Sequence, residues 1–146
     1  SLIKFWQGES ALMQGEYEKA VTAFNSSLEI LPPDHHQIGN QRAHLAIALA
    51  AAGQPDDALY NLNLAIQEIM AQTQTDDYTK QVWLSGAYLK QAAIYASLSD
   101  VKQAETAWQQ AASIVTANPD LILRKQHLEQ LRLQLGTGSF SWADVL

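Results

Sequence analysis

The sequence predicts an all-α protein, an α-solenoid of three helix–turn–helix units closed by a C-terminal capping helix. Three observations predict it. The stretch Gly15-Glu-Tyr-Glu-Lys-Ala20 is echoed by Gly53-Gln-Pro-Asp-Asp-Ala58 and by Ser99-Asp-Val-Lys-Gln-Ala104. Each of these alanines is followed by a large residue one helical turn on (Phe24, Leu62, Trp108) and then by a small one (Ser27, Ala65, Ala111), all on one helix face. A small residue also precedes each alanine at a constant distance (Gly8, Ala46, Ala92), where a preceding helix would pack closely against the first. Self-similarity at a period of about 40 residues is the signature of a helical solenoid.

Taken in order, residues 2–14 form the first helix of unit one and 17–31 its second, which Pro32-Pro33 terminates because neither proline donates a backbone hydrogen bond. Residues 34–37 are a connector. The first helix of unit two runs from about Ile38 to Ala52 and stops at Gly53. Pro55 is tolerated in the first turn of the next helix, where Asp56 and Asp57 face the positive end of its dipole, and that helix continues to about Ala71. Residues 72–77 are a polar connector in which Thr75 or Asp76 caps the following helix. Helices over about 77–98 and 100–116 complete unit three. Leu121, Leu128, Leu131 and Leu135 then fall on one face of a capping helix over about 120–135, which Gly136 ends. The boundaries expected are repeats at 1–34, 39–72 and 77–118 in one domain over 1–135, followed by a loosely ordered tail over 136–146. Phe24, Leu62 and Trp108 are expected to be the buried centres of the core.

This pattern resembles the tetratricopeptide repeat, a helix–turn–helix of about 34 residues with a small residue early in its first helix, a Gly-x-Tyr turn, and an Ala, an aromatic and a small residue on its second. Leu31-Pro-Pro-Asp-His35 resembles the connector of a longer variant of that family, found in many bacterial regulators. The resemblance covers roughly residues 1–119. It implies a right-handed superhelix whose first helices line a concave groove. Two departures stand out. Lys4 and Gln7 replace an apolar pair, which predicts a frayed or rotated first helix, and Ser99 replaces the turn glycine of unit three.

Carrying the family's groove positions over gives Leu2, Phe5, Glu9, Leu12 and Met13 from unit one. Unit two gives Asn40, Ala43, Ile47, Ala50 and Ala51, and unit three gives Gly86, Leu89, Ala93, Ala96 and Ser97. The set is mostly apolar. The resemblance therefore implies a protein partner, presenting an apolar or amphipathic segment to a scaffold, assembly factor or chaperone-like adaptor. Replacement of Phe5, Ile47 and Leu89 by Asp is the discriminating test: binding that survives while the fold is retained would rule the groove out. The family's two-carboxylate clamp falls on Phe5, Glu9, His44, Gly86 and Lys90, of which only Lys90 is a cation, so capture of a C-terminal carboxylate by that clamp is not expected. The alternatives are a groove filled by the chain's own C-terminal segment, closure on a second copy as a homodimer, and a regulatory domain of a larger protein.

Composition narrows the function classes. A net charge of −6 argues against a phosphate-backbone partner, so no nucleic acid is expected. No apolar run approaches the ~20 residues that span a bilayer, so no membrane insertion is expected, and a cytoplasmic location is the simplest reading. The chain begins at Ser1, which reads as a fragment with room for an anchoring or targeting segment upstream. There is no cysteine, and His35, His36 and His44 lack partners at metal-ligand spacing, so neither metal nor cofactor is expected. The pairs Asp56-Asp57 and Asp76-Asp77 read as helix starts. Arg124, Lys125, His127 and Arg132 read as a solvated basic face. With no nucleophile motif, phosphate loop or dinucleotide fingerprint, no enzyme is expected.

Overall fold

A computed structural model describes residues 2–138 and 140–146; Ser1, in the first expected repeat, and Ser139, in the expected tail, lie outside the described residues. Those described form eight helices and no strand: α1 (Leu2–Met13), α2 (Tyr17–Ile30), α3 (Ile38–Ala51), α4 (Pro55–Ala71), α5 (Asp77–Ser97), α6 (Val101–Ala117), α7 (Ile122–Thr137) and α8 (Trp142–Val145). Adjacent helices pack as α1 with α2, α3 with α4 and α5 with α6. The chain forms two compact units, one holding α1–α4 and ending at Gln74, the other spanning Thr75–Val145 and holding α5–α8.

The three turns are built alike. Gly15, Gly53 and Ser99 adopt positive φ values of 76°, 86° and 60°. Beside them the amides of Gly15 and Glu16 donate to Leu12 and Ala11, those of Gly53 and Gln54 to Ala50 and Leu49, and those of Ser99 and Asp100 to Ala96 and Tyr95. These paired bonds, at 2.8–3.1 Å, satisfy carbonyls that the ending helix leaves over, and they require a left-handed residue at the turn. Glycine adopts that conformation without strain, whereas Ser99 adopts it at a cost of about 1–2 kcal/mol. Beyond each turn the amides of Ala20, Ala58 and Ala104 donate to the carbonyls of Glu16, Gln54 and Asp100, at 3.0 Å in every case. All three alanines are fully buried.

In the first unit, α2 buries Ala20, Phe24 and Ser27. The Phe24 ring fills the space that the missing side chain of Gly8 leaves on α1; a Cβ there would lie 2.6 Å from the ring. The Ser27 hydroxyl donates to Gln41 Oε1 on α3 at 2.6 Å, a buried polar link between the two hairpins of this unit. Helix α3 is buried almost all round, from Ile38 to Ala50, as expected of a helix with neighbours on several sides. It packs against α4 at Gly39, where a Cβ would meet the Ile69 side chain at 2.8 Å and the Ala65 carbonyl oxygen at 3.0 Å. Arg42 forks onto Glu68 of α4 at 2.6 and 3.3 Å. Helix α1 is regular over its whole length, not frayed, because Lys4 and Gln7 stay in solvent while Phe5, Gly8, Ala11 and Leu12 carry the packing.

In the second unit, α6 buries Ala104, Ala107, Ala111 and Val115, and α7 packs on both α5 and α6 through Leu121, Leu128 and Leu131. Phe24 and Leu62 are fully buried as expected, but Trp108 is only half-buried. Its indole nitrogen must find an acceptor, and it donates to the Leu128 carbonyl at 2.9 Å while the Arg132 guanidinium covers the ring at 4.8 Å. Trp108 thus attaches α7 to α6 and is not a sealed core residue. Asp76 is the cap of α5: its carboxylate accepts from the Thr79 amide and hydroxyl at 2.8 Å, bonds that lower its pKa. Asp100 caps α6, its carboxylate accepting from the Gln103 amide at 3.2 Å. The tail is not wholly irregular, since Trp142–Val145 form a helical turn and Phe140 meets Trp142 edge-on at 4.8 Å.

Candidate functional site

The residues carried over from the family's groove separate by burial. On α1, Phe5 and Leu12 are buried, Glu9 is half-buried, and Leu2 and Met13 are exposed. On α3, Ala43, Ile47 and Ala50 are buried, while Asn40 and Ala51 are half-buried. On α5, in the second unit, Gly86, Leu89 and Ala93 are buried, while Ala96 and Ser97 are half-buried. Phe5, Ile47 and Leu89 are therefore packing residues. An aspartate at any of them would place an unpaired carboxylate in apolar surroundings, so loss of binding in such variants would not separate a lost groove from a lost fold.

In the first unit the structure brings the α1 and α3 positions together at one point. His44 Nδ1 lies 2.6 Å from Glu9 Oε1, and the His44 ring stands edge-on to Phe5 at 5.0 Å. Glu9 is thus engaged across the two helices. Around this pair, 3.6 residues per turn put Leu2, Trp6, Glu9 and Met13 within about 60° of one another on α1. Leu2, Trp6 and Met13 are 60%, 59% and 79% exposed. The result is an apolar strip with one acidic group at its middle. Trp6 has no place among the carried-over groove positions, although its spacing from Leu2 and Met13 is the signal that finds it. Trp6 stands in solvent and meets Phe5 edge-on at 5.4 Å.

The second unit carries two further features. A concavity of about 1140 Å³ opens along α5 and α6, with Leu84, Tyr88, Val101 and Ile114 in its lining. On the other side of α5, Gly86 lies beneath the Arg124 guanidinium, 3.0 Å from the position of a Cβ. Arg124 was expected in a solvated face with Lys125, His127 and Arg132. It is half-buried instead, because Leu121, Arg124, Leu128 and Leu131 share the face of α7 turned to its neighbours.

Among the described residues no three His, Cys, Asp or Glu side chains converge as a metal site would need, and no helix is long and apolar enough to cross a membrane. His35 and His36 lie in a turn between α2 and α3, not in a helix, and their rings stack at 4.4 Å where helical geometry would have splayed them.

The comparisons with known proteins agree with this architecture where they speak. The family model described as tetratricopeptide repeat matches residues 4–32, which is α1 from its third residue on, the Gly15 turn, α2 and the two residues after it. No curated protein and no solved structure matches the chain. Repeats of this family generally mediate protein–protein interaction. With its buried Ala20, its Gly8–Phe24 contact and its left-handed Gly15, the first hairpin of this all-helical chain is the part that matches the tetratricopeptide repeat, and its packing is consistent with that family.

Proposed function

We propose that the chain is a non-enzymatic protein-interaction module, a scaffold, assembly factor or chaperone-like adaptor, whose first unit takes an amphipathic segment of another protein along α1. The observation that carries this reading is the exposed strip of Leu2, Trp6 and Met13 on one side of α1. Large apolar side chains at such helical spacing suit the apolar face of a partner helix, and an exposed Met lends the surface adaptability. Of the remaining groove positions, Asn40 and Ala51 border the same unit from α3, and the buried Phe5, Leu12, Ala43, Ile47 and Ala50 support the floor from beneath. Leu89, Ala93 and Ala96 would serve the second unit in the same way. The reading places the second and third hairpins in the same repeat family as the first, on the strength of their identical turns. It assigns no nucleic-acid, metal or cofactor role, and the lack of cysteine suits a cytoplasmic setting.

The test is a photo-crosslinker at Trp6, with a second at exposed Lys19 as control, followed by affinity measurement on the captured partner. A single segment on such a surface is expected to bind with Kd near 1 μM, about −8 kcal/mol. Leu2→Asp, Trp6→Asp and Met13→Asp should each weaken it by at least about tenfold with helical content unchanged, as removal of a desolvated apolar contact does. A partner that binds all three variants as it binds the parent would end this reading. Sedimentation decides the competing one: a species that doubles in mass with concentration, and loses that behaviour in Trp6→Asp, would assign the strip to a second copy of the chain.

A further inference from the structure

The first unit holds a trough of about 480 Å³ between α2, α3 and α4. Its floor is apolar: Leu45 and Leu49 of α3 are buried, with Val21 and Leu28 of α2 half-buried beside them. At 3.6 residues per turn, Arg42, Leu45 and Leu49 lie on the side of α3 about opposite Asn40, Ile47 and Ala51. None of the described residues lining it comes from α1. The trough is therefore separate both from the carried-over groove positions and from the apolar strip of Leu2, Trp6 and Met13.

The rim is acidic. Glu29 of α2 and Asp57 of α4 are exposed at its edge, and among the described residues neither carboxylate joins an ion pair. Arg42, the one cation among the described lining residues, is neutralised by its fork onto Glu68. The wider field has the same sign. Residues 1–74 hold eight acidic side chains against three Lys and Arg, so the first unit carries −5 of the chain's −6, a balance that steers cations toward it. The two acids stand toward opposite ends of the trough. Ser27, late in α2, bonds Gln41, early in α3, and Arg42, early in α3, bonds Glu68, late in α4, so α2 and α4 both run antiparallel to α3. Glu29 thus lies toward the Arg42 end and Asp57 toward the Leu49 end. Seven residues of helix separate those ends, about 10 Å.

We propose that this trough binds an extended basic–apolar segment of a partner protein, with two cations three residues apart directed to Glu29 and Asp57. In a polyproline-II segment, residues i and i+3 share one face and stand about 9 Å apart, which matches the spacing of the acids. The two residues between them then point to the floor of Val21, Leu28, Leu45 and Leu49. Exposed carboxylates alone would be a solvated rim. The apolar floor between them gives the segment surface to bury, and the stems of Lys or Arg add to it while their heads stay in water. The assignment is independent of the strip on α1, so either stands without the other.

The experiment follows the side-chain amide resonances of Asn25 and Asn61, which line the trough, in the full chain by NMR. The titrants are acetyl-Lys-Leu-Leu-Lys-amide, acetyl-Gln-Leu-Leu-Gln-amide and acetyl-Lys-Gln-Gln-Lys-amide. Saturable shifts with the first are expected, with each of the other two at least about tenfold weaker. Glu29→Gln and Asp57→Asn replace exposed groups, so the fold should persist. Each should weaken the first peptide by about threefold, the scale of one exposed ion pair, and the two together by about tenfold. Glu18→Gln removes an exposed acid of α2 that does not line the trough, changes the net charge by the same amount, and should leave the affinity unchanged. The proposal is overturned by an unsaturable response, by equal binding of either control peptide, or by shifts confined to Trp6 and Met13 on α1. It is overturned equally by a folded double variant that binds as its parent does, or by a Glu18→Gln effect as large as that of Glu29→Gln, which would reduce the attraction to net charge.

Discussion

Phe24→Ala is expected to destabilise the first unit by about 3–5 kcal/mol, the range for removing a phenyl ring from a packed core. Phe24 is fully buried, meets Phe5 at 5.7 Å and His44 at 6.0 Å, and rests on Gly8. The cavity would open between α1, α2 and α3 together, and the Gly8 backbone beneath it has no side chain that could move in to fill it. Since a domain of ordinary size has only about 5–15 kcal/mol of stability in all, this one change should remove a large share of it. Urea denaturation followed by circular dichroism measures the effect. The fluorescence of Trp6, which touches Phe5, reports separately on whether α1 detaches first.

Gly39→Ala is expected to destabilise by about 1–3 kcal/mol, although alanine is the better helix former by about 1 kcal/mol. Two effects oppose each other here. The intrinsic preference favours alanine in α3. Against it, the new methyl would sit 3.0 Å from the Ala65 carbonyl oxygen and the Ile69 amide nitrogen, which are backbone atoms that move only if α4 moves. Overpacking against backbone should win, so the sign of the change is itself the result. Urea midpoints of the variant and its parent decide it. A Gly39→Ala protein more stable than its parent would mean that α3 and α4 are held further apart than described.

Much of the fold was legible in the sequence because the information was local. Gly15 and Gly53 fix turns through backbone freedom, Pro32-Pro33 stops a helix, and Ala20, Ala58 and Ala104 mark one register three times over; all can be read within a few residues. Helix ends accordingly fall within about two residues of expectation, the usual limit of boundary definition. What could not be read was the outcome of competition between distant groups. Trp108 looks like Phe24 in the pattern, yet its indole nitrogen draws it to the Leu128 carbonyl and to the surface of the unit. Ser27 and Gln41 satisfy each other across helices, a pairing that no sequence spacing announces.

The candidate site was legible only in part, for the same reason. Leu2, Glu9 and Met13 stand on the accessible side of α1, but Phe5, Ile47 and Leu89 are used up in packing. Positions taken from a family pattern do not say which side chains a particular chain must spend on its own core. Arg124 is the clearest case of a signal present but outweighed. It occupies the apolar stripe of α7 at helical spacing from Leu121, Leu128 and Leu131, and its charge pointed to solvent. The guanidinium lies against Gly86, where a Cβ would ask it to give by only a few tenths of an ångström.

The central claim is that Ala20, Ala58 and Ala104 occupy one equivalent, sealed position in three hairpins. Ala20→Leu, Ala58→Leu and Ala104→Leu, each set beside leucine at the preceding exposed residue (Lys19, Asp57 and Gln103), test it directly by equilibrium urea unfolding. Each alanine variant is predicted to lose about 1–3 kcal/mol or more, and each neighbour to change by less than about 1 kcal/mol. An alanine variant as stable as its neighbour, at any one of the three turns, would contradict the equivalence.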